Sequence, residues 1–166
     1  IQFNQANFAS TVKDIIRQNG IPANLIRLEI TESLLINNPE TIILKMNDLS
    51  SFGVQFLLDD FGTGYSSLAI IQHLPICTIK IDKAFISNIN LKNDADKALT
   101  KAIFSLADHI CLDCIAEGVE TAEDAVFCKS KNIYAMQGHY YYHPLAKNDF
   151  LDILSNSSEH IKQALL

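Results

Sequence analysis

The sequence predicts an α/β protein: part of a (β/α)8 TIM-like barrel, about five β/α units long. Two observations carry that expectation. Short apolar runs alternate with amphipathic segments along the whole chain, which calls for parallel strands joined by right-handed helical crossovers. Every apolar run also ends on a charged or amide residue. The alternation alone suits an open doubly wound sheet equally well. Polar residues at every strand end favour the barrel, where all strand C-termini share one rim.

The elements follow in order. Phe8, Val12, Ile15 and Ile16 share one helical face, and Gly20 stops that helix. Residues 25–30 read as the first strand. Asn38 and Pro39 open the next helix as cap and first residue, with Ile42, Ile43, Met46 and Leu49 facing inward. Residues 54–58 form a second strand, continuous in its apolar character as a doubly covered strand should be. A short helix over 66–73 leads to a third strand at 78–81. Asn93 caps a long helix whose stripe is Leu99, Ala102, Ile103 and Leu106. A strand at 112–116, a helix over 121–129, a strand at 133–136 and a helix over 147–154 complete the series.

A chain of 166 residues, 48% hydrophobic and 19% charged, fits one globular domain with a substantial core. The net charge of -6 argues against binding a nucleic-acid polymer. A nucleotide ligand stays open, because a metal can supply positive charge. No apolar run reaches the roughly 20 residues needed to span a bilayer. The opening IQFNQANFAS lacks the basic and apolar regions of a signal peptide and has no initiator Met, so a cytoplasmic fragment is expected. Cys111 and Cys114 form a lone C-x-x-C, read with Cys77 and Cys128 as free thiols in a reducing cytosol.

The strand ends carry the chemistry. LEITES supplies Glu29 and Glu32; LLDDFGTGYSSL supplies Asp59 and Asp60; TIKID supplies Lys80 and Asp82. AEGVE adds Glu117 and Glu120, and MQG adds Gln137. Any single acid after a strand can be a helix N-cap, a role that suits Glu32 and Glu120. Five such ends on one rim would repel strongly unless neutralised. Divalent cations are the economical neutraliser, and oxygen ligands without His or Cys favour Mg²⁺ or Mn²⁺. Lys80 is either a phosphate contact or a salt-bridge partner for the acids. Together these features suggest metal-assisted phosphoester hydrolysis.

Other motifs carry less. Asp60-Phe61-Gly62 spells a kinase DFG, but there is no H-R-D loop. FGTGYSS lacks the third glycine of a dinucleotide fingerprint. His139 and His143 read as rim or loop residues, and Tyr140 to Tyr142 as packing residues.

LEITES, LLDDFGTGYSSL, TIKIDKAFI, IAEGVET and MQGHYYYHPL, in this order and spacing, resemble the C-terminal two thirds of an EAL domain, from about Gln2 to Leu154. EAL domains are bacterial phosphodiesterases that open cyclic-di-GMP to linear pGpG on a modified (β/α)8 barrel. The resemblance implies that Glu29, Asp59 and Asp60 are metal ligands, with Asp59 bridging two ions. It implies Lys80 at the phosphate or water, Asp82 supporting the second metal, and Glu117 as ligand or general base. Glu120 and Gln137 would complete the substrate network. Glu32 would hold the loop after Asp60, whose Gly62 and Gly64 allow it to move and to couple metal binding to dimerisation.

The Glu-Ala-Leu motif, with the metal ligand it supplies, occurs nowhere in these residues. The upstream asparagine ligand and three barrel strands are missing as well. Residues 1–166 are therefore expected to be a single truncated domain with weak or no turnover, its open sheet edges covered in a homodimer. The alternative is a catalytically silent module that binds cyclic-di-GMP or a protein partner. Sequence upstream of Ile1 discriminates the two.

Overall fold

The computed structural model describes residues 2–36, 38–62, 68–131 and 133–156. Five parallel strands form one sheet: β1 (Arg27–Thr31), β2 (Gln55–Phe61), β3 (Thr78–Ile81), β4 (Asp113–Ala116) and β5 (Ala135–Met136). Their spatial order is their chain order. A doubly wound sheet reverses strand order at a switch point, whereas a barrel does not. The sequential order is that of part of a (β/α)8 barrel.

Helix α1 (Phe8–Gln18) precedes β1, helices α2 (Pro39–Phe52), α3 (Leu68–Ile71), α4 (Lys83–Ile86), α5 (Asp94–His109) and α6 (Ala122–Lys129) occupy the connections, and α7 (Lys147–Asn156) follows β5. The fully buried Phe56, Leu58, Ile79 and Ile81 join Ile42, Met46 and Leu49 of α2 in one core. That burial is the main stabilising force, since apolar area removed from water contributes about 25 cal/mol per Å².

Several local expectations change. The side chain of Asn38 caps no backbone N–H; its amide oxygen accepts from the Thr41 hydroxyl at 3.0 Å, with Asn38 itself left-handed at φ 60°. Asn93 does cap α5, accepting from Asp96 N at 2.8 Å. The buried stripe of α5 is Thr100, Ile103, Phe104 and Ala107. Leu99 sits about 100° round the helix from Thr100 and is half-exposed, and Ala102 also faces out. Ile15 is exposed for the same reason, beside buried Ile16. Residue 25 belongs to a short 3-10 turn (Ala23–Leu25) rather than to the first strand. Sequence reasoning also missed α4 and the 3-10 turn Ile89–Leu91, both too short to show a period.

Candidate active site

The adjacent acids Asp59 and Asp60 lie within β2, not after it. Side chains alternate along a regular strand, so neighbours would point to opposite faces. Here the ladder breaks. Leu57 pairs with Thr78 and Leu58 with Ile79, but Phe61 pairs with Ile81, so β2 carries an extra residue against β3. Asp60 takes up that residue in the left-handed region at φ 55°, at a cost of roughly 1–2 kcal/mol for a residue with a Cβ. The bulge brings one oxygen each of Asp59, Asp60 and Glu117 within 4.8 Å of one another. Glu117 follows β4, its N–H donating to Ile81 O at 3.1 Å.

Lys80 stands among these acids. β3 is buried along its length; Ile79 and Ile81 pack into the core, while Lys80 points into the acid cluster. Its Nζ lies 2.7 Å from Glu117 Oε1, 3.0 Å from Glu29 Oε2 and 3.1 Å from Asp59 Oδ1. Burial alone would lower the Lys80 pKa, but hydrogen bonds to Glu117, Glu29 and Asp59 outweigh it and raise the pKa above the ordinary lysine value. Lys80 is thus a fixed positive charge and not a proton acceptor. One ammonium facing three carboxylates leaves two negative charges, to which the neighbouring Asp60 adds. A hard-oxygen set with excess negative charge fits a hard divalent cation.

The remaining candidates divide. Glu32 is buried, and its Oε1 accepts from Gly62 N at 3.1 Å. Asp82 caps α4, accepting from Ala84 N at 2.7 Å, so the capping role considered for other acids falls to it. Glu120 and Gln137 are exposed and line a groove of about 490 Å³ with Lys83, His139, Tyr142 and His143. The rings of His139 and His143 lie 4.2 Å apart, tilted by 38°. Tyr140 and Tyr142 are largely exposed, while the Tyr141 hydroxyl donates to Met136 Sδ at 3.4 Å. Gly64 lies outside the described residues. All four cysteines are free; burial pushes the Cys114 thiol up to about 11 and Cys128 up to about 12, so neither is reactive.

One residue escaped the sequence reading. Asp124, fully buried on α6, accepts from Ile89 N at 3.0 Å, Thr121 N at 3.1 Å and Glu120 N at 3.3 Å. The Thr121 hydroxyl in turn accepts from Asp124 N at 3.1 Å, closing a capping box. The spacing T-x-x-D was the available signal.

The family model for the EAL domain matches residues 1–144. The cyclic-di-GMP phosphodiesterase NbdA of Pseudomonas aeruginosa is 35% identical over 141 residues, which are 85% of this chain and 18% of that protein. The crystal structure of the EAL domain of Mycobacterium smegmatis DcpA superposes with a TM-score of 0.87 at 34% identity, covering 93% of this chain and 69% of that one. The structure described as PaMucR phosphodiesterase, c-di-GMP complex, superposes at 0.84 with 31% identity, covering 90% and 60%. The chain spans about a quarter or less of the length of the curated relatives it matches. Among the described residues, no helix is long and apolar enough to cross a membrane.

Proposed function

The chain belongs to the EAL domain family, and from that premise we propose that its domain hydrolyses cyclic-di-GMP to linear pGpG with Mg²⁺ or Mn²⁺. The observation that carries this reading is the convergence of Asp59, Asp60 and Glu117 within 4.8 Å, beside a lysine held charged by three carboxylates. Structures similar to this chain above 30% identity include one described as a c-di-GMP complex.

In this reading Asp59, Asp60, Glu117 and Glu29 hold the cation, and Asp82 supports a second site. When bound, the cation lowers the pKa of a water and offsets the charge that grows on the attacking and leaving oxygens. The chain's own residues do the rest. Water adds to phosphorus, the bond from phosphorus to O3′ breaks, and O3′ leaves with a proton, giving a 5′-phosphate and a free 3′-hydroxyl. Glu117 ligates or takes the water's proton. The Lys80 ammonium faces the phosphate oxygens and keeps the carboxylates in register. Glu120 and Gln137 line the adjoining groove and orient the dinucleotide. Glu32 steadies the loop after Asp60 through Gly62 N.

Exposed Leu91, Leu99 and Val126 support a second copy of the chain as partner, to be read from the mass in solution by light scattering. The bacterial cytoplasm, where free thiols persist, is the proposed site of action. These 166 residues contain no Glu-Ala-Leu, so weak turnover is expected from the segment by itself. A silent binding module is the second reading, favoured by Lys80 already satisfying three of the acids. Incubating the full-length protein with cyclic-di-GMP and Mg²⁺ or Mn²⁺ decides between them. Asp59→Ala should cost at least about a hundredfold in turnover; equal rates in both proteins overturn the assignment.

A further inference from the structure

We propose that Asp124 is a positioning residue for the dinucleotide-facing wall formed by Glu120 and Gln137. The inference rests on the proposed hydrolase reading. It concerns a residue that belongs to neither the acid cluster nor the lining of the groove.

Asp124 ties together segments that follow two different strands, β3 and β4. Its Oδ1 accepts from Ile89 N, in the connection after β3. Its Oδ2 accepts from Glu120 N and Thr121 N, in the turn after β4. That turn is joined in its own right to the chain after β5: Val119 N donates to Gln137 O at 3.1 Å, and Tyr140 N donates to Val119 O at 3.0 Å. The contact is close enough to require glycine at 138, where an added Cβ would lie 2.0 Å from Val119 O. On the opposite side the Ser87 hydroxyl donates to Gly118 O at 2.7 Å. The backbone bearing Glu120 is thus held from both sides, and the backbone of Gln137 is tied to it through Val119.

A buried carboxylate with three backbone donors is more than a helix cap needs, since Thr121 N alone closes the capping box. The bonds to Ile89 and Glu120 reach beyond the helix. They fix where Glu120 and, through Val119, Gln137 stand relative to Lys83, which follows β3 and lines the same groove. The acids Glu29, Asp59, Asp60 and Glu117 are set by the strands and by Lys80 instead. The effect of Asp124 should therefore fall on the dinucleotide and not on the cation.

The test compares Asp124→Asn with Thr121→Ala in the full-length protein. Asn places an N–H₂ where a carboxylate oxygen accepted, which breaks the reach to Ile89 or Glu120. Thr121→Ala weakens the same helix end but leaves both of those bonds. Affinity for cyclic-di-GMP is measured by equilibrium dialysis in EDTA, Mn²⁺ affinity by electron paramagnetic resonance, and KM and kcat at a temperature where both variants are folded. Asp124→Asn should weaken dinucleotide binding and raise KM about tenfold, with Mn²⁺ affinity within twofold of the unmodified protein. Thr121→Ala should lower the melting temperature and leave dinucleotide affinity and KM unchanged. Equal effects of the two variants on affinity, or a loss of Mn²⁺ affinity in Asp124→Asn, overturn the inference. Failure of the hydrolase reading looks different: the unmodified protein neither binds nor turns over the dinucleotide, and the inference falls with it.

Discussion

The ends of β2 and β4 both deliver acids to the same point, by opposite means. At the end of β2 the chain accepts strain: an extra residue in the ladder and a left-handed Asp60 turn two neighbouring carboxylates toward one side. At the end of β4 the strand runs in register to Ala116, and hydrogen bonds hold the turn beyond it. Ser87, Gln137 and Asp124 secure that backbone from three directions. Strain concentrates charge in a short stretch at an energetic cost. A hydrogen-bonded turn holds its acids farther apart while costing little, but it depends on residues distant in sequence.

Substitutions separate the two devices. Gly118→Ala should have the largest effect. Its φ of +66° is unfavourable for a side chain, and a Cβ there would lie 2.3 Å from Lys83 Cβ and 2.9 Å from Ser87 Oγ. We expect a loss of about 3 kcal/mol in urea unfolding; a loss below 1 kcal/mol would mean that the turn after β4 is not tightly held.

Lys80→Met comes next, because Lys80 joins the two regions. Removing the ammonium leaves three acids facing one another. Since Glu29 is half-exposed, the penalty should be about 2 kcal/mol rather than that of a fully buried pair. Saturating Mn²⁺ should raise the melting temperature of this variant more than that of the unmodified protein. An equal rise in both would show that Lys80 does not hold the acids that receive the cation.

Asp60→Gly should move stability the other way. Glycine adopts a positive φ freely, so chemical denaturation should show a gain of about 1 kcal/mol, while cyclic-di-GMP hydrolysis is lost. A destabilised, active variant would contradict the strained-ligand account of β2.

The smallest effect is in the acid limb of stability. Burial pushes the Asp124 pKa up, but bonds from Ile89, Thr121 and Glu120 prevail, and the carboxyl lies below its ordinary value. A folded-state pKa below the unfolded one stabilises above the unfolded value, and that contribution is lost as pH falls through the folded value. Asp124→Asn should therefore flatten the fall in melting temperature below about pH 4. An unchanged slope would remove Asp124 from the account of the β4 turn.

The sequence was most legible where period and chemistry coincide. Apolar runs ending in charged or amide residues revealed all five strands and the rim, and Asn93 announced α5 correctly. Hydrophobic pattern says nothing about register, so the bulge that unites Asp59 and Asp60 was invisible until β2 was paired with β3. Asp82 looked like the other acids, and only the fourth helix behind it shows what its carboxylate bonds. Asp124 was hidden by its setting, an acid in the first turn of a helix, where most acids simply face solvent. Leu99 and Ala102 were misplaced because the buried stripe of α5 begins on a threonine, Thr100, whose hydroxyl donates to Phe85 O and Asp96 O at 3.0 Å.

The sequential strand order also bears on how the molecule is made. Each strand pairs with the one synthesised just before it, and the widest step, from Thr78 to Asp113, encloses a single crossover. Among the described strands none must wait for a distant segment, so the entropy of closing each loop stays small. A nascent chain leaving the ribosome can lay each new unit on a finished neighbour. Lys80 then emerges after Glu29 and Asp59 and before Glu117, so the first acids meet their counter-charge before the last one arrives.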